Sequence, residues 1–316
     1  MIEYTEKIRQ KAHQLLKDGT VEVFIGYKKG SVPMMNLPTL IKEPDQTDQL
    51  YWDSSCGLNL CNYLTKRTEK TGIIANGCNS RNIVTHIIEN QIKRDQLYIV
   101  GIPCKGMIDH RAVKRKVRQK EILSIEEQQD QFTVKGIDFE ETFKRSEIIR
   151  NNCAICTHRN PVIFDEMLDE PVREQKDIEA YKDVASIEKM EPEKKRDFFT
   201  RLIKNCIRCY ACRNACPLCY CPTCFVDESI PQWVGKSIDP IDTMTFHFLR
   251  AYHCAGRCTD CGACEQVCPM GISMRQFTKK LNKDTLEYYN WEAGLDPEQR
   301  PPLDAYQPDD YNDFVK

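Results

Sequence analysis

Cysteine is the residue type that dominates the possible chemistry of this 316-residue chain, which contains 18 cysteines. Two runs share one spacing: two residues separate the first three cysteines, three precede the fourth, and a proline follows it. The runs are Cys206, Cys209, Cys212 and Cys216, and then Cys258, Cys261, Cys264 and Cys268. Closely spaced thiolates are typical ligands of soft metals, and a reducing cytosol disfavours disulfides, so the spacing predicts metal binding.

The repeated spacing resembles the signature of bacterial-type ferredoxins with two 4Fe-4S clusters. In that signature three cysteines of one run hold one cluster and the fourth crosses to the other cluster. The resemblance implies a first cluster on Cys206, Cys209, Cys212 and Cys268, and a second on Cys258, Cys261, Cys264 and Cys216. Zinc sites are the alternative, but zinc does not require a third and a fourth cysteine at these distances before proline, twice over.

Further cysteines surround these runs. Cys219, Cys221 and Cys224 follow the first run directly, and Cys254 precedes the second. Their compact spacing could hold a further cluster. Alternatively, they are small buried hydrophobic residues beneath the clusters, which is a common role of free cysteine.

Composition and charge exclude several classes of protein. With 316 residues and a net charge of −2, the chain is long enough for about two domains and lacks the positive charge of general nucleic-acid binders. The basic run at residues 110–120 has no interleaved aromatic residues, which favours a solvated helix face over a phosphate track, with docking of an acidic partner or an anionic cofactor as the alternative.

No stretch approaches the about 20 apolar residues that span a bilayer, and the start lacks a signal peptide. We therefore expect a cytoplasmic protein.

The first half of the chain reads as strands and helices in alternation. A helix is predicted from Tyr4 to Lys17, followed by the strand VEVFIGYKKG. TGIIANGC, SRNIVTHIIENQI and QLYIVGIPC then form a strand, a helix and a strand, which predicts a parallel pair, and EILSIEEQQDQFTVKG predicts a hairpin. Ligands bind beyond the carboxyl ends of such strands, where Cys78 and Cys104 are expected, with Asn79 and Ser80 at the helix N-cap.

The remaining elements indicate the domain order. DFFTRLIKN, IDTMTFHFLRAYH and GISMRQFTKKLNKDTLEYYNW predict helices around the cysteine runs. We expect an α/β domain with a partly parallel sheet at residues 1–165, a charged and partly helical linker at 166–200, a mainly α-helical two-cluster ferredoxin-like domain at 201–290, and an extended tail at 291–316. Tyr306, Tyr311 and Phe314 could anchor the tail on another subunit.

Two short segments of the first domain identify a family resemblance. Gly101-Ile102-Pro103-Cys104, followed by Cys153-Ala-Ile-Cys156, resembles the beta subunits of coenzyme F420-reducing hydrogenases and F420-linked formate dehydrogenases. WDSSCGLNLCNYL and GCNSR also resemble segments of that family, so the resemblance covers most of residues 20–275. It implies an α/β domain that binds FAD and one 4Fe-4S cluster, followed here by the ferredoxin module.

The resemblance implies residue roles. Cys104, Cys153 and Cys156 match the family's cluster ligands, and either Cys78 or Cys56 supplies the fourth, with Cys78 favoured because its strand should neighbour that of Cys104. The flavin is expected near Asn59, Gly77, Asn79, Ser80 and Arg81, and Arg81 is a candidate partner of its pyrophosphate or of the flavin ring. The alternative is that Arg81 and Asn79 only cap a helix.

These cofactors imply an oxidoreductase subunit that transfers electrons. Iron-sulfur clusters carry single electrons, and flavin converts between one-electron and two-electron steps. We expect a catalytic partner subunit, such as that of a formate dehydrogenase or hydrogenase, and exchange of electrons between FAD and a soluble two-electron carrier or another redox subunit. The alternative is a flavin-free iron-sulfur adaptor that links a heterodisulfide reductase-like core to its partner.

Overall fold

The computed structural model of the chain describes residues 2–302, and for residues 2 and 3 it describes only the backbone. The predicted anchors Tyr306, Tyr311 and Phe314 lie outside the described residues. The strands all lie before residue 168, and helices and loops occupy the described residues after it.

Eight strands form two sheets. They are β1 (Val23–Lys28), β2 (Leu37–Ile41), β3 (Thr71–Ala75), β4 (Leu97–Gly101), β5 (Ile122–Gln128), β6 (Gln131–Gly136), β7 (Glu140–Lys144) and β8 (Glu166–Met167). The larger sheet has the order β2-β1-β3-β4-β8, in which β1, β3, β4 and β8 are parallel and β2 is antiparallel to β1. The predicted α/β region with a partly parallel sheet is confirmed.

Eleven α-helices of varied length accompany the sheets in residues 2–302. They are α1 (Ile2–Lys17), α2 (Gly77–Ile88), α3 (His110–Lys116), α4 (Arg145–Ile148), α5 (Asn151–Ala154), α6 (Lys182–Glu188), α7 (Pro192–Ile203), α8 (Ala211–Asn214), α9 (Pro240–His253), α10 (Ala263–Gln266) and α11 (Arg275–Tyr289). The helices predicted around the cysteine runs correspond to α7, α9 and α11.

The central strands explain the position of the main core. Every residue of β3 is buried, as expected for a parallel strand that is covered on both faces. The side chains of Ile73, Ile74 and Ile99 join residues of α1 and β1 in one buried cluster. This core holds the carboxyl ends of β3 and β4 side by side, because Ala75 pairs with Gly101 in the parallel register.

The predicted hairpin is confirmed as β5 and β6, and a third strand, β7, pairs with β6. β5, β6 and β7 form an antiparallel sheet, and Phe132 and Val134 on β6 are buried against Val113 of α3. On α3 itself, Lys114, Arg115 and Lys116 are exposed, as expected of a solvated face. Arg111 of the same run instead donates to the backbone carbonyls of Glu265 at 2.9 Å and Gln266 at 3.2 Å.

The start of α2 differs from the prediction. Asn76 is the N-cap, and its side chain accepts a hydrogen bond from the Asn79 backbone N–H at 3.1 Å. Helix α2 therefore begins at Gly77, so Cys78 lies in its first turn instead of at the end of a strand, and Asn79 and Ser80 lie inside the helix. Asn is as strong an N-cap residue as Ser, so the earlier side chain takes the position once β3 ends at Ala75.

The second half of the chain packs around α9, and the segment after α11 contacts helix α2 of the α/β region. Phe246 is buried with residues of both cysteine runs, and Phe277 of α11 packs against Phe199 of α7. After α11, the backbone carbonyl of Ala293 accepts hydrogen bonds from Arg81 of α2 at 3.0 and 2.7 Å. No helix in residues 2–302 is long and apolar enough to cross a membrane.

Candidate metal centres

The first group of thiols joins three cysteines of the first run to the last cysteine of the second. Burial raises the pKa of Cys212 to about 11, and the nearby thiols of Cys206 and Cys268 contribute to the rise. Burial also raises the pKa of Cys206, with contributions from Cys268 and Cys209. Clustered thiols that oppose one another's ionisation favour a bound metal, whose charge offsets that of the thiolates. Cys209 is exposed, so this group lies at the surface.

The second group joins three cysteines of the second run to the last cysteine of the first. Burial raises the pKa of Cys261 to about 12, and Cys258 and Cys216 add to this rise. The pKa of Cys264 is also raised, first by burial and then, among its thiol neighbours, by Cys216 and Cys261. The fourth cysteine of each run therefore lies near cysteines of the other run, in agreement with the ferredoxin signature. This arrangement places both predicted clusters side by side.

A buried arginine lies between the two groups. Arg250 of α9 is 5% exposed, and its Nη2 donates a hydrogen bond to the backbone carbonyl of Cys212 at 3.2 Å. The thiols of Cys216, Cys254 and Cys264 hold its pKa above the ordinary value against the effect of burial. Within residues 2–302 no carboxylate lies at ion-pair distance, and its Nε is buried without a hydrogen-bond partner. A buried cation in this position fits an anionic cluster with thiolate ligands.

The third group lies at the carboxyl ends of β3 and β4, where the sheet topology predicts a ligand. Burial raises the pKa of Cys104 to about 12, with contributions from Cys153 and Cys156. The pKa of Cys78 is raised by burial and by all three of these thiols. The four cysteines line one cavity of about 90 Å³. That volume is far below the about 300–1,000 Å³ of ordinary small-molecule sites, so the cavity suits a compact inorganic group.

Cys56, the alternative fourth ligand, lines the same cavity but is engaged elsewhere. Its thiol is fully buried and accepts hydrogen bonds from Asn36 Nδ2 and from the Asp53 backbone N–H, both at 3.4 Å. Burial and the Asp53 carboxylate raise its pKa. The geometry favours Cys78 over Cys56 as the fourth ligand.

The second and third groups adjoin each other. Among the thiols that raise the pKa of Cys78, Cys261 acts more strongly than Cys104. Hydrogen bonds also connect the two regions: Asn82 Nδ2 donates to Thr259 Oγ1 at 2.8 Å, and Asn152 Nδ2 donates to the Asp260 carbonyl at 3.2 Å. The three groups therefore form a series, from the surface at Cys209 to the end of the parallel sheet.

Comparison with known proteins supports the ferredoxin-type cysteine runs and the family resemblance. Residues 202–272, which contain both cysteine runs, match the family model of the 4Fe-4S dicluster domain. The chain is 24% identical to the beta subunit of the F420-dependent formate dehydrogenase of Methanocaldococcus jannaschii over 338 aligned positions, which cover 87% of this chain and 88% of the relative. The resemblance to the F420-linked beta subunits is confirmed.

Other relatives match shorter parts. The beta subunit of the F420-dependent formate dehydrogenase 1 of Methanococcus maripaludis is 27% identical over 33% of this chain and 26% of its own length. One subunit of the fumarate reductase (CoM/CoB) of Methanothermobacter marburgensis is 28% identical over 36% of this chain and 24% of its own length. A chain of the F420-reducing [NiFe] hydrogenase complex from Methanosarcina barkeri aligns at 13% identity with a TM-score of 0.38, covering 48% of this chain and 58% of that chain.

The residues predicted to contact flavin are held by the protein itself. Arg81 donates to the Ala293 carbonyl and forms an ion pair with Glu292 at 2.9 Å. Its Nη1 also lies 3.3 Å from Nδ1 of His158. The resemblance to the F420-linked beta subunits implied that the Arg81 guanidinium binds a pyrophosphate. In the structure, the segment after α11 occupies this guanidinium.

The first turn of α2 is closed in the same way. Ser80 Oγ donates to the Gly77 carbonyl at 2.8 Å and accepts from the Val162 backbone N–H at 2.9 Å, and the Asn79 N–H is held by the Asn76 cap. A Cβ on Gly77 would lie 2.1 Å from the carbonyl oxygen of His158, so the chain covers this end of the helix closely. These residues do not fit a flavin dinucleotide at the start of α2. The alternative prediction, that Arg81 and Asn79 only cap a helix, also differs from the contacts, because Asn76 is the cap of α2 and Arg81 binds the segment after α11.

The surplus cysteines are not brought together as one group. The Sγ atoms of Cys216, Cys219 and Cys254 all lie within 4.8 Å of one another. Cys221 is exposed, and Cys224 packs partly buried in the cluster that contains Phe246. The chain turns away after Cys219 because the residues that follow Cys224 enter the apolar core beneath α9. The structure thus brings Cys219 and Cys254 together beside Cys216, and the further cluster that their spacing suggested stays a prediction.

Three further side chains at the metal centres were not predicted. Nε2 of His247 lies 3.4 Å from Sγ of Cys206, and burial lowers the pKa of this histidine to about 4. The thiol of Cys61 donates a hydrogen bond to the Asn79 carbonyl at 3.1 Å. Burial and the neighbouring Cys261 raise the pKa of this thiol. The third is Arg250. Only the burial of polar residues within the apolar stripe of α9 could have indicated His247 and Arg250.

Asn59 has a different role from the predicted flavin contact. Its Oδ1 caps a short turn by accepting from the Cys61 backbone N–H at 3.0 Å, and its Nδ2 is buried without a hydrogen-bond partner beside Cys261. An amide N–H directed at a ligand thiol fits a negatively charged cluster, whose potential such donors adjust.

Proposed function

We propose that this chain is the electron-transfer, beta-type subunit of a multi-subunit oxidoreductase such as a formate dehydrogenase or a hydrogenase. When bound, 4Fe-4S clusters accept and donate single electrons at potentials that the protein sets. The chain supplies three sets of four cysteines for them, and it links these sets into a continuous series. The primary substrate is then converted by a catalytic partner subunit.

The observation that supports this proposal is the order of the thiol groups. Cys209 of the first group is exposed, Arg250 connects the first and second groups, and Cys261 adjoins Cys78 of the third. A series that begins at the surface and ends inside the α/β region suits entry of electrons from one partner and exit near the sheet. A single buried structural metal site would not need such a series.

The finer features of the proposal are the partner, the acceptor and FAD. The names of the relatives favour a catalytic subunit that oxidises formate, and a soluble two-electron carrier as the further partner. FAD as the converter between them stays a prediction, since the α2 residues assigned to it are engaged by the chain. We assign no residue to flavin contact.

A flavin-free adaptor is the second candidate function. It is favoured by the occupied guanidinium of Arg81 and by the about 90 Å³ cavity at the third thiol group, which is small for a dinucleotide. In this case the chain links the clusters of a heterodisulfide reductase-like core to those of its partner.

One experiment tests the proposal and separates the two candidates. The protein is purified anaerobically, and iron, acid-labile sulfide and flavin released on denaturation are measured on the same sample. We expect about twelve irons per chain, the content of three 4Fe-4S clusters. One FAD per chain favours the flavin-containing subunit, and its absence after reconstitution with added FAD favours the adaptor. Zinc in place of iron would contradict both.

A further inference from the structure

We propose that Cys219 and Cys254 are reserve ligands for the second predicted cluster, able to bind the iron that Cys216 holds. This inference rests on the proposed cluster assignment of the two cysteine runs. It gives a role to two of the surplus thiols, and it differs from the separate cluster that their spacing alone suggested.

The distances carry the inference. The Sγ atoms of Cys216, Cys219 and Cys254 lie within 4.8 Å of one another. A metal–thiolate bond is about 2.3 Å long in zinc sites, so sulfurs this close can reach the same metal position with small side-chain rotations. An iron bound to Cys216 therefore has two alternative thiols within reach.

Backbone hydrogen bonds hold both reserve thiols in place. The Cys219 N–H donates to the Cys216 carbonyl at 3.1 Å, in the turn that follows the first run. Cys254 ends α9, and its carbonyl accepts from the Cys258 N–H at 3.0 Å. Each reserve thiol is thus tied directly to a cysteine assigned to the second cluster.

A buried positive charge lies beside these thiols. Cys254 is 1% exposed, so water does not compete for the site. The guanidinium of Arg250 interacts with Cys216, Cys219 and Cys254, and its positive charge stabilises whichever thiolate binds. Nearby cations lower the cost of deprotonating a thiol, which is a requirement for metal ligation.

The ligand exchange involves no electron transfer. When Cys216 is absent, the thiol of Cys219 or Cys254 loses its proton to solvent, and the thiolate forms the iron–sulfur bond that Cys216 would have made. The other ligands, Cys258 and its partners in the second run, keep their bonds. The cluster therefore retains four cysteine ligands.

Cys268 provides a matched control. It has the same role for the first predicted cluster as Cys216 has for the second, because each is the fourth cysteine of its run. Within residues 2–302, the one group of three or more metal-ligating side chains with all ligand atoms within 4.8 Å is the group at Cys216. Cys268 thus has no comparable pair of spare thiols around it.

The test compares iron, acid-labile sulfide and the low-temperature EPR spectrum of the dithionite-reduced full chain. The variants are Cys216→Ala, Cys268→Ala and the triple variant Cys216→Ala, Cys219→Ala, Cys254→Ala, all purified anaerobically. Alanine is used because a serine oxygen can itself bind iron. If Cys216→Ala is insoluble, Cys216→Gly replaces it, compared with Cys268→Gly and with the triple variant Cys216→Gly, Cys219→Ala, Cys254→Ala.

We expect Cys216→Ala to keep the wild-type iron content with shifted EPR g values, while Cys268→Ala and the triple variant each lose about four irons, the content of one cluster. Loss of about four irons in Cys216→Ala would overturn the inference, and so would full retention in the triple variant or in Cys268→Ala. A wild-type chain without iron would instead contradict the proposed function itself.

Discussion

Nη2 of Arg250 donates a hydrogen bond to the backbone carbonyl of Cys212 at 3.2 Å, while the same guanidinium interacts with the thiol of Cys216. One buried cation therefore lies beside the ligand sets of both predicted ferredoxin-type clusters. Reduction adds negative charge to a cluster, and a fixed positive charge nearby stabilises the reduced state. Arg250 is thus expected to raise both potentials.

Replacing this arginine tests its electrostatic role. Arg250→Gln should lower the midpoint potentials by roughly 50–100 mV. A unit charge about 8 Å away, at an effective dielectric constant of about 20, contributes about 2 kcal/mol of electrostatic energy. For a one-electron reduction, about 59 mV corresponds to a tenfold change in the equilibrium constant. Potentiometric titration followed by EPR measures the shift. Arg250→Lys retains the charge and should shift the potentials less, provided that iron content is unchanged. Equal shifts in both variants would contradict the electrostatic explanation.

The fourth ligand of the third thiol group can be assigned by substitution. Cys78→Ala should remove about four irons per chain, the content of one cluster, whereas Cys56→Ala should remove none. The reason is that Cys78 neighbours Cys104, Cys153 and Cys156, while Cys56 is engaged by Asn36 and Asp53. Iron analysis of the purified variants measures the difference. Cys153→Ala serves as the positive control for loss, and the reverse pattern would assign Cys56.

His86 should make the stability of the protein depend on pH. Burial lowers the pKa of this side chain, whose Nε2 lies 2.8 Å from the Pro217 carbonyl and whose Nδ1 is buried without a hydrogen-bond partner. The folded protein therefore disfavours the imidazolium that the unfolded chain forms below pH about 6.5. The stabilising contribution is complete above that pH and is lost as the pH falls below it.

The corresponding measurement is anaerobic thermal unfolding of the holoprotein at pH 7.5 and pH 5.5. The wild-type melting temperature should decrease more between these values than that of His86→Gln, whose amide can still donate to the Pro217 carbonyl. Equal decreases in the two proteins would show that His86 does not control the dependence.

The contact between α2 and the second half of the chain includes an ion pair that is largely shielded from water. Glu89, with a side chain that is 9% exposed, pairs with Arg257, and both contact the Tyr220 hydroxyl. Removal of one partner of a buried ion pair lowers the free energy of unfolding by about 3–5 kcal/mol. Partial exposure of Arg257 should reduce this loss to about 2 kcal/mol. Glu89→Gln should therefore lower the melting temperature by several degrees.

The matched control for this pair is Lys135→Gln, which removes an exposed pair with Glu126 and should have little effect. Limited proteolysis of Glu89→Gln should also show faster cleavage between the α/β region and the residues after 200, since the pair joins them. Unchanged proteolysis and melting would indicate that other contacts hold the two parts together.

The sequence was sufficient to predict the cysteine chemistry and most of the elements. The spacing of the two runs specifies which thiols can wrap a cluster, because loop length limits which sulfurs reach one metal. Strong local patterns likewise predicted β3, β4, the hairpin and the helices α7, α9 and α11. The family resemblance depended on short segments around Cys104 and Cys153, whose order along the chain is visible without a structure.

Tertiary structure decided the features that depend on residues far apart in the chain. Only the fold places Cys254 beside Cys219, directs Cys78 instead of Cys56 toward Cys104, and buries Arg250 between two ligand sets. It also places the segment after α11 on Arg81, which changes a predicted cofactor contact into an internal one. The local spacing of residues carries no information about such contacts. They form when apolar faces of separate elements pack together, which also places the polar groups of these elements next to one another.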